Sequence, residues 1–95
     1  MLKATTKEGR PALRGELDFL TAPELKTWLD QLDGQPTEID LSGVTFFESI
    51  TLRIFLVARQ RNPQLRIVNP SKFVVKVLEI TCTFDYLVGE REIAS

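Results

Sequence analysis

Asp40-Leu-Ser-Gly-Val-Thr-Phe-Phe-Glu-Ser-Ile-Thr-Leu52 decides how this chain is read. Its first residues complete the run Glu38-Ile-Asp-Leu41, too short for a helix and apolar enough for a central strand. Ser42-Gly43 reads as a turn, and Val44, Phe46 and Phe47 as an apolar connection that packs down. From Ser49 to Arg61 the residues Ile50, Leu52, Ile54, Phe55, Leu56, Val57 and Ala58 predict a helix apolar on most of its circumference. Such a helix needs cover on more than one side, from its own domain or from a partner. Asn62-Pro63 stops it. At its mouth Glu48-Ser49 sets a carboxylate beside a hydroxyl, the kind of place where a regulatory phosphate, a partner or a catalytic step acts.

Upstream, Leu2 to Leu17 reads as two short strands turning around Glu8-Gly9-Arg10-Pro11. Thr21 is the expected N-cap of a helix with Pro23 in its first turn and Glu24 three residues after the cap. Leu25, Trp28, Leu29 and Leu32 form its apolar stripe, and Asp33-Gly34-Gln35-Pro36 ends it. Downstream, Leu65 to Val68 is a further strand, and Asn69-Pro70-Ser71 supplies a turn and an N-cap. A third helix carries Val74, Val77, Leu78 and Thr81 on one face, Asp85 to Val88 is a last short strand, and Gly89 to Ser95 is a frayed, charged tail.

The resulting order β-β-α-β-α-β-α-β predicts an α/β domain: a small mixed β-sheet, parallel over much of its extent, with helices alternating along the chain. In such sheets the functional crevice lies outside the carboxyl ends of the strands. Residues 42–51 follow the strand at 38–41, and Asp18 to Thr21 follow the strand ending near Leu17, so both point to one surface.

Composition narrows the chemistry. Ninety-five residues suffice for one domain spanning 1–95. A net charge of −1 argues against nucleic-acid binding, which needs a basic face. Arg53, Arg59, Arg61 and Arg66 are locally basic and read as a solvated helix face. No apolar run approaches the length of a membrane span, and Met1-Leu-Lys-Ala is no signal peptide. The lone Cys82 fits a reducing cytoplasm and reads as a packed or half-buried thiol. With no histidine and one cysteine, a standard zinc site and a histidine triad are excluded.

Three stretches in register carry a resemblance: Gly15-Glu-Leu-Asp-Phe-Leu-Thr-Ala22, Ile39-Asp-Leu-Ser-Gly-Val-Thr-Phe-Phe-Glu-Ser49 and Leu65-Arg-Ile-Val-Asn-Pro-Ser71. Together they resemble the landmarks of STAS domains, found in anti-sigma factor antagonists and in the cytoplasmic tails of sulphate transporters. The resemblance implies a non-enzymatic, cytoplasmic, bacterial regulatory module that binds a protein partner and needs no cofactor. In the antagonists a serine kinase, which is also the anti-sigma factor, phosphorylates a serine in the pattern Asp-Ser-Ser/Thr-Gly-Leu. By that likeness the phosphoacceptor is Ser49, and Asp18, Glu48, Ser49 and Thr51 with the adjoining helix face meet the partner. The chain departs from the pattern at Glu48, Ile50 and Thr51. Those departures leave open a modified switch, a disused one in which Ser49 is a plain helix N-cap, and Thr51 as a substitute acceptor.

Two other readings stand beside it. STAS-like subunits also occur in bacterial lipid-transport ABC systems, bound to the ATPase, and need no phosphorylation switch. Alternatively Glu16, Asp18, Asp40 and Glu48 could pair as acid and base in an enzyme, although no nucleophile or phosphate-binding loop accompanies them. A homodimer and a nucleotide or lipid ligand stay open, since no residue identifies either.

Overall fold

The computed structural model describes residues 1–32 and 35–89. Its elements are β1 (Lys3–Lys7), β2 (Arg10–Leu17), α1 (Ala22–Asp30), β3 (Thr37–Phe47), α2 (Ser49–Arg61), β4 (Leu65–Val68), α3 (Lys72–Ile80) and α4 (Phe84–Leu87). The four strands form one sheet in the order β1-β2-β3-β4. β1 and β2 are antiparallel, whereas β2, β3 and β4 run parallel. This is the mixed α/β sheet the residue pattern predicts.

The β1–β2 hairpin turns on Glu8 and Gly9, both at positive φ, with Lys7 paired to Arg10. Two such residues make the tight turn whose twist matches that of the strands, so Arg10 and Pro11 belong to β2 and not to the turn.

β3 corrects the expected strand. It runs from Thr37 to Phe47 and absorbs both the Ser42-Gly43 "turn" and the Val44–Phe47 connection. The chain keeps going because the pairing with β2 slips twice: Ala12 faces Asp40 while Arg14 faces Gly43, and Gly15 faces Val44 while Glu16 faces Phe46. β3 thus carries two residues that β2 does not answer, the mark of β-bulges. Gly43 is needed at the first: a Cβ there would lie 2.9 Å from the Arg14 Cβ.

The core is continuous across the sheet and helices. Leu13 and Leu17 from β2, Ile39, Leu41, Val44 and Phe47 from β3, and Leu65 and Ile67 from β4 are all buried. α1 adds Leu25 and Leu29; α2 adds Leu52, Phe55 and Ala58; α3 adds Val74 and Leu78. The Phe47 and Phe55 rings meet at 6.1 Å between centroids. The expected stripe of α1 is therefore core, with Trp28 and Leu32 packed at its margin. α2 is indeed covered on more than one side, yet Val57 stays 46% exposed.

Several local expectations need correction. Thr21 sits at the N-cap position of α1 but makes no side-chain cap. Its hydroxyl turns back and donates to the Asp18 carbonyl at 3.1 Å. Ser71 does cap α3, accepting from the Val74 N–H at 3.4 Å. Asp85 to Val88 is not a strand: Phe84–Leu87 is a single helical turn. Cys82 is exposed, not packed, and takes φ +58°. It ends α3 in a reversal where the Thr83 N–H reaches the Leu78 carbonyl and the Cys82 N–H that of Glu79, the Schellman pattern that usually selects glycine. The expected stop at Asp33-Gly34 and the tail beyond Gly89 lie outside the described residues.

Candidate functional site

Parallel pairing brings the carboxyl ends of β2 and β3 side by side, with Leu17 opposite Phe47. The chain then leaves β2 as the loop Asp18-Phe19-Leu20 and leaves β3 through Glu48 into α2. The two exits are bonded together. The Leu17 carbonyl accepts from the Glu48 N–H at 3.1 Å and from the Thr51 hydroxyl at 2.8 Å. The Glu48 carboxylate accepts from the Phe19 N–H at 3.0 Å. The Asp18 carboxylate accepts from the Leu20 and Thr21 N–H groups at 3.0 and 3.1 Å.

These bonds sort the four residues expected at the partner surface. Thr51 is fully buried, and its hydroxyl is committed to Leu17. Glu48 is half-buried and is itself the N-cap residue of α2, with no side-chain cap because its carboxylate turns to Phe19. Asp18 is half-buried and shapes its own loop. Ser49 is therefore not the N-cap but the first residue of α2. It is exposed, and among the described residues its hydroxyl has no partner.

Two opposed electrostatic effects meet at Ser49, the start of α2 and the Glu48 carboxylate at the N-cap beside it. The first turn of α2 contains no acidic residue, while its last turn holds Arg59 and Arg61. Unpaired N–H groups at a helix start carry partial positive charge, which suits a negative substituent there.

Sequence reasoning missed the apolar rim of this corner. Phe19 is 67% and Leu20 71% exposed, and Phe46 is also exposed. The signal was available: two large apolar residues stand between Asp18 and Thr21, in a loop whose backbone is held by polar bonds. Beside the corner, a groove of about 220 Å³ runs between α1 and α2 and is lined by Lys26, Leu29, Asp30, Arg53, Ile54, Val57, Ala58 and Arg61.

The acid–base pairing considered for Asp40 is not built. Asp40 lies within β3, 2% exposed, and accepts from the Ser42 N–H, the Ser42 hydroxyl and the Asn69 amide at 2.9, 2.6 and 2.9 Å. Burial pushes its carboxyl up, but these bonds and the nearby Lys7 outweigh it and hold it below the ordinary value of 3.8. Among the described residues no cluster of three acidic or sulfur side chains exists to hold a metal. No described helix is long and apolar enough to cross a membrane.

A family model described as "Mlab, STAS domain" matches residues 1–83. The chain belongs to the STAS family. Two solved structures share the fold of this STAS domain. One, an anti-sigma factor antagonist from Mycobacterium paratuberculosis, superposes with a TM-score of 0.73 at 20% identity, over 92% of this chain and 81% of that one. The other, an anti-sigma-factor antagonist (STAS) domain protein from Planctomyces limnophilus, gives 0.65 at 18% identity, over 98% and 90%. A search of curated proteins finds no match.

Proposed function

We propose that this STAS domain is a non-enzymatic, cytoplasmic regulatory module that binds a protein partner over the loop 18–20 and the start of α2, with Ser49 as its point of control. The observation that carries the reading is the contrast at this corner. Ser49 offers an exposed, unbonded hydroxyl, whereas Asp18, Glu48 and Thr51 hold the surface around it in one shape. Asp18, Glu48 and Thr51 thereby act on the partner through position rather than direct contact, and Phe19 and Leu20 supply the apolar contact. A phosphate on Ser49 adds a charge of about −1.5 to −2 beside that rim and repels a partner fitted to a neutral hydroxyl, with no change of fold.

Incubation with candidate anti-sigma serine kinases and ATP tests this reading. A one-phosphate mass shift, absent in Ser49→Ala and accompanied by weaker binding of the kinase, supports it. Absence of both binding and mass shift removes its sigma-regulatory form.

One observation favours a second reading. Glu48 and Thr51, two of the departures from the antagonist pattern, both serve as internal ties. A corner so fixed also suits a permanent accessory subunit of a lipid-transport ABC system, held on its ATPase without a switch. Stable co-purification with an ATPase, unaffected by Ser49→Glu, selects that alternative.

A further inference from the structure

The groove between α1 and α2 has a composition that specifies its occupant. Its α2 wall is the ridge Arg53, Val57 and Arg61 at four-residue spacing, and Ser49 lies one turn before Arg53 on the same ridge. All four are exposed. The α1 wall presents Lys26 and Asp30, again four residues apart and exposed. Between the walls lies an apolar floor that includes Ile54.

Charge on the rim is one-sided. Asp30 is bonded to Arg61 at 3.0 Å. Among the described residues, neither Lys26 nor Arg53 pairs with an acid. Among the described lining residues, three cations against one carboxylate leave two net positive charges around an apolar slot, on a chain whose overall charge is −1. On α2 the slot runs from Arg53 to Arg61, a wall of about 13 Å or roughly two and a half helical turns. Two ridges at four-residue spacing, with a groove between them, are the surface into which a third helix packs.

We infer that this groove binds an amphipathic helix of the protein partner, its apolar stripe on Val57 and Ile54 and its flanking Asp and Glu residues against Lys26 and Arg53. The inference rests on the partner-binding reading above and names the chemistry of the partner. It gives Ser49 a second effect: a phosphate at the head of the ridge offsets the two positive charges that attract an acidic helix.

The test uses the whole chain and two synthetic 16-residue helical peptides, one with a leucine stripe flanked by glutamates and its twin with lysines instead. Fluorescence anisotropy is expected to show binding of the glutamate peptide that weakens roughly tenfold as salt rises from low to several hundred millimolar, and no binding of the twin. Arg53→Glu, an exposed change on a helix whose folding circular dichroism verifies, should weaken the glutamate peptide at least roughly tenfold and admit the lysine peptide. Equal binding of both peptides overturns the acidic partner, as does preference for the lysine twin. Binding of neither overturns the groove as a docking site. In all three cases binding and phosphorylation at the Ser49 corner keep their own test. Arg53-dependent self-association in light scattering, or Arg53-dependent binding to phosphatidylglycerol vesicles in place of the peptide, also overturns the inference by assigning the groove to a second copy or to a lipid surface.

Discussion

Thr51→Val removes one hydroxyl from the centre of the tie between β2 and α2 and almost nothing else. The residue is fully buried, and its hydroxyl donates to the Leu17 carbonyl at 2.8 Å. Valine matches its shape, so no cavity forms. The carbonyl is not orphaned, because it also accepts from the Glu48 N–H at 3.1 Å. The cost is therefore that of one net hydrogen bond, about 1 kcal/mol, and not the penalty of up to about 3 kcal/mol for a stranded buried acceptor. For a domain of this size that corresponds to a fall in Tm of roughly 4–8 °C. Thr51→Ala should cost about 2 kcal/mol, since it adds a lost methyl group to the lost bond. Urea unfolding followed by tryptophan fluorescence at Trp28 measures both, with an unchanged m-value as the sign that only stability moved. Amide exchange should quicken from Leu17 to Leu20 and stay protected in β4. A loss above about 2 kcal/mol for Thr51→Val would refute the shared-acceptor account. A loss indistinguishable from zero would show that the tie contributes nothing.

Asp40 makes stability depend on pH. Its carboxyl titrates lower folded than unfolded, so it favours the fold above about pH 4 and loses that contribution as pH falls through the folded value. Asp40→Asn should destabilise by about 1–3 kcal/mol at neutral pH and flatten the acid limb of the unfolding curve. Unfolding profiles of the two proteins that run parallel below pH 4 would count against this. Cys82→Gly should stabilise by about 1 kcal/mol, because glycine adopts the positive φ of that helix-ending turn without strain; a lower Tm would contradict it. Ser49→Glu should leave Tm within about 2 °C, since the side chain is exposed at a helix start, while weakening partner binding at least roughly tenfold; unchanged affinity in a surface-binding assay would remove Ser49 as a control point.

How much was legible in the sequence differs by element. Ser49–Arg61 and Leu65–Val68 match the observed α2 and β4, because a helix stop at Asn62-Pro63 and a β-branched run bound them sharply. β3 was cut short because its inward residues Leu41, Val44 and Phe47 recur every third position, which is not a strand period; the two bulges produce that spacing. Phe84–Leu87 is one turn long, too short for any periodicity to separate helix from strand. At the site, the position of Glu48, Ser49 and Thr51 was visible, but the direction of their side chains was not. Glu48 turns to Phe19, 29 residues away, and Thr51 to Leu17, 34 residues away. Tertiary pairing set those directions, and it left Ser49 outward.

The bulges in β3 also mean that strand length and register are not the same quantity in this fold. Thr45 is exposed and has no counterpart in β2, so it is slack in the chain. Its deletion removes a residue without changing that Leu17 faces Phe47, and the pairing of β3 with β4 ends upstream at Asp40. Amide shifts from Phe47 to Leu52 should survive that deletion, whereas loss of a residue from β2, which has none to spare, should displace them all. The corner that carries Ser49 is thus buffered against changes of length on one of its two strands and exposed to them on the other.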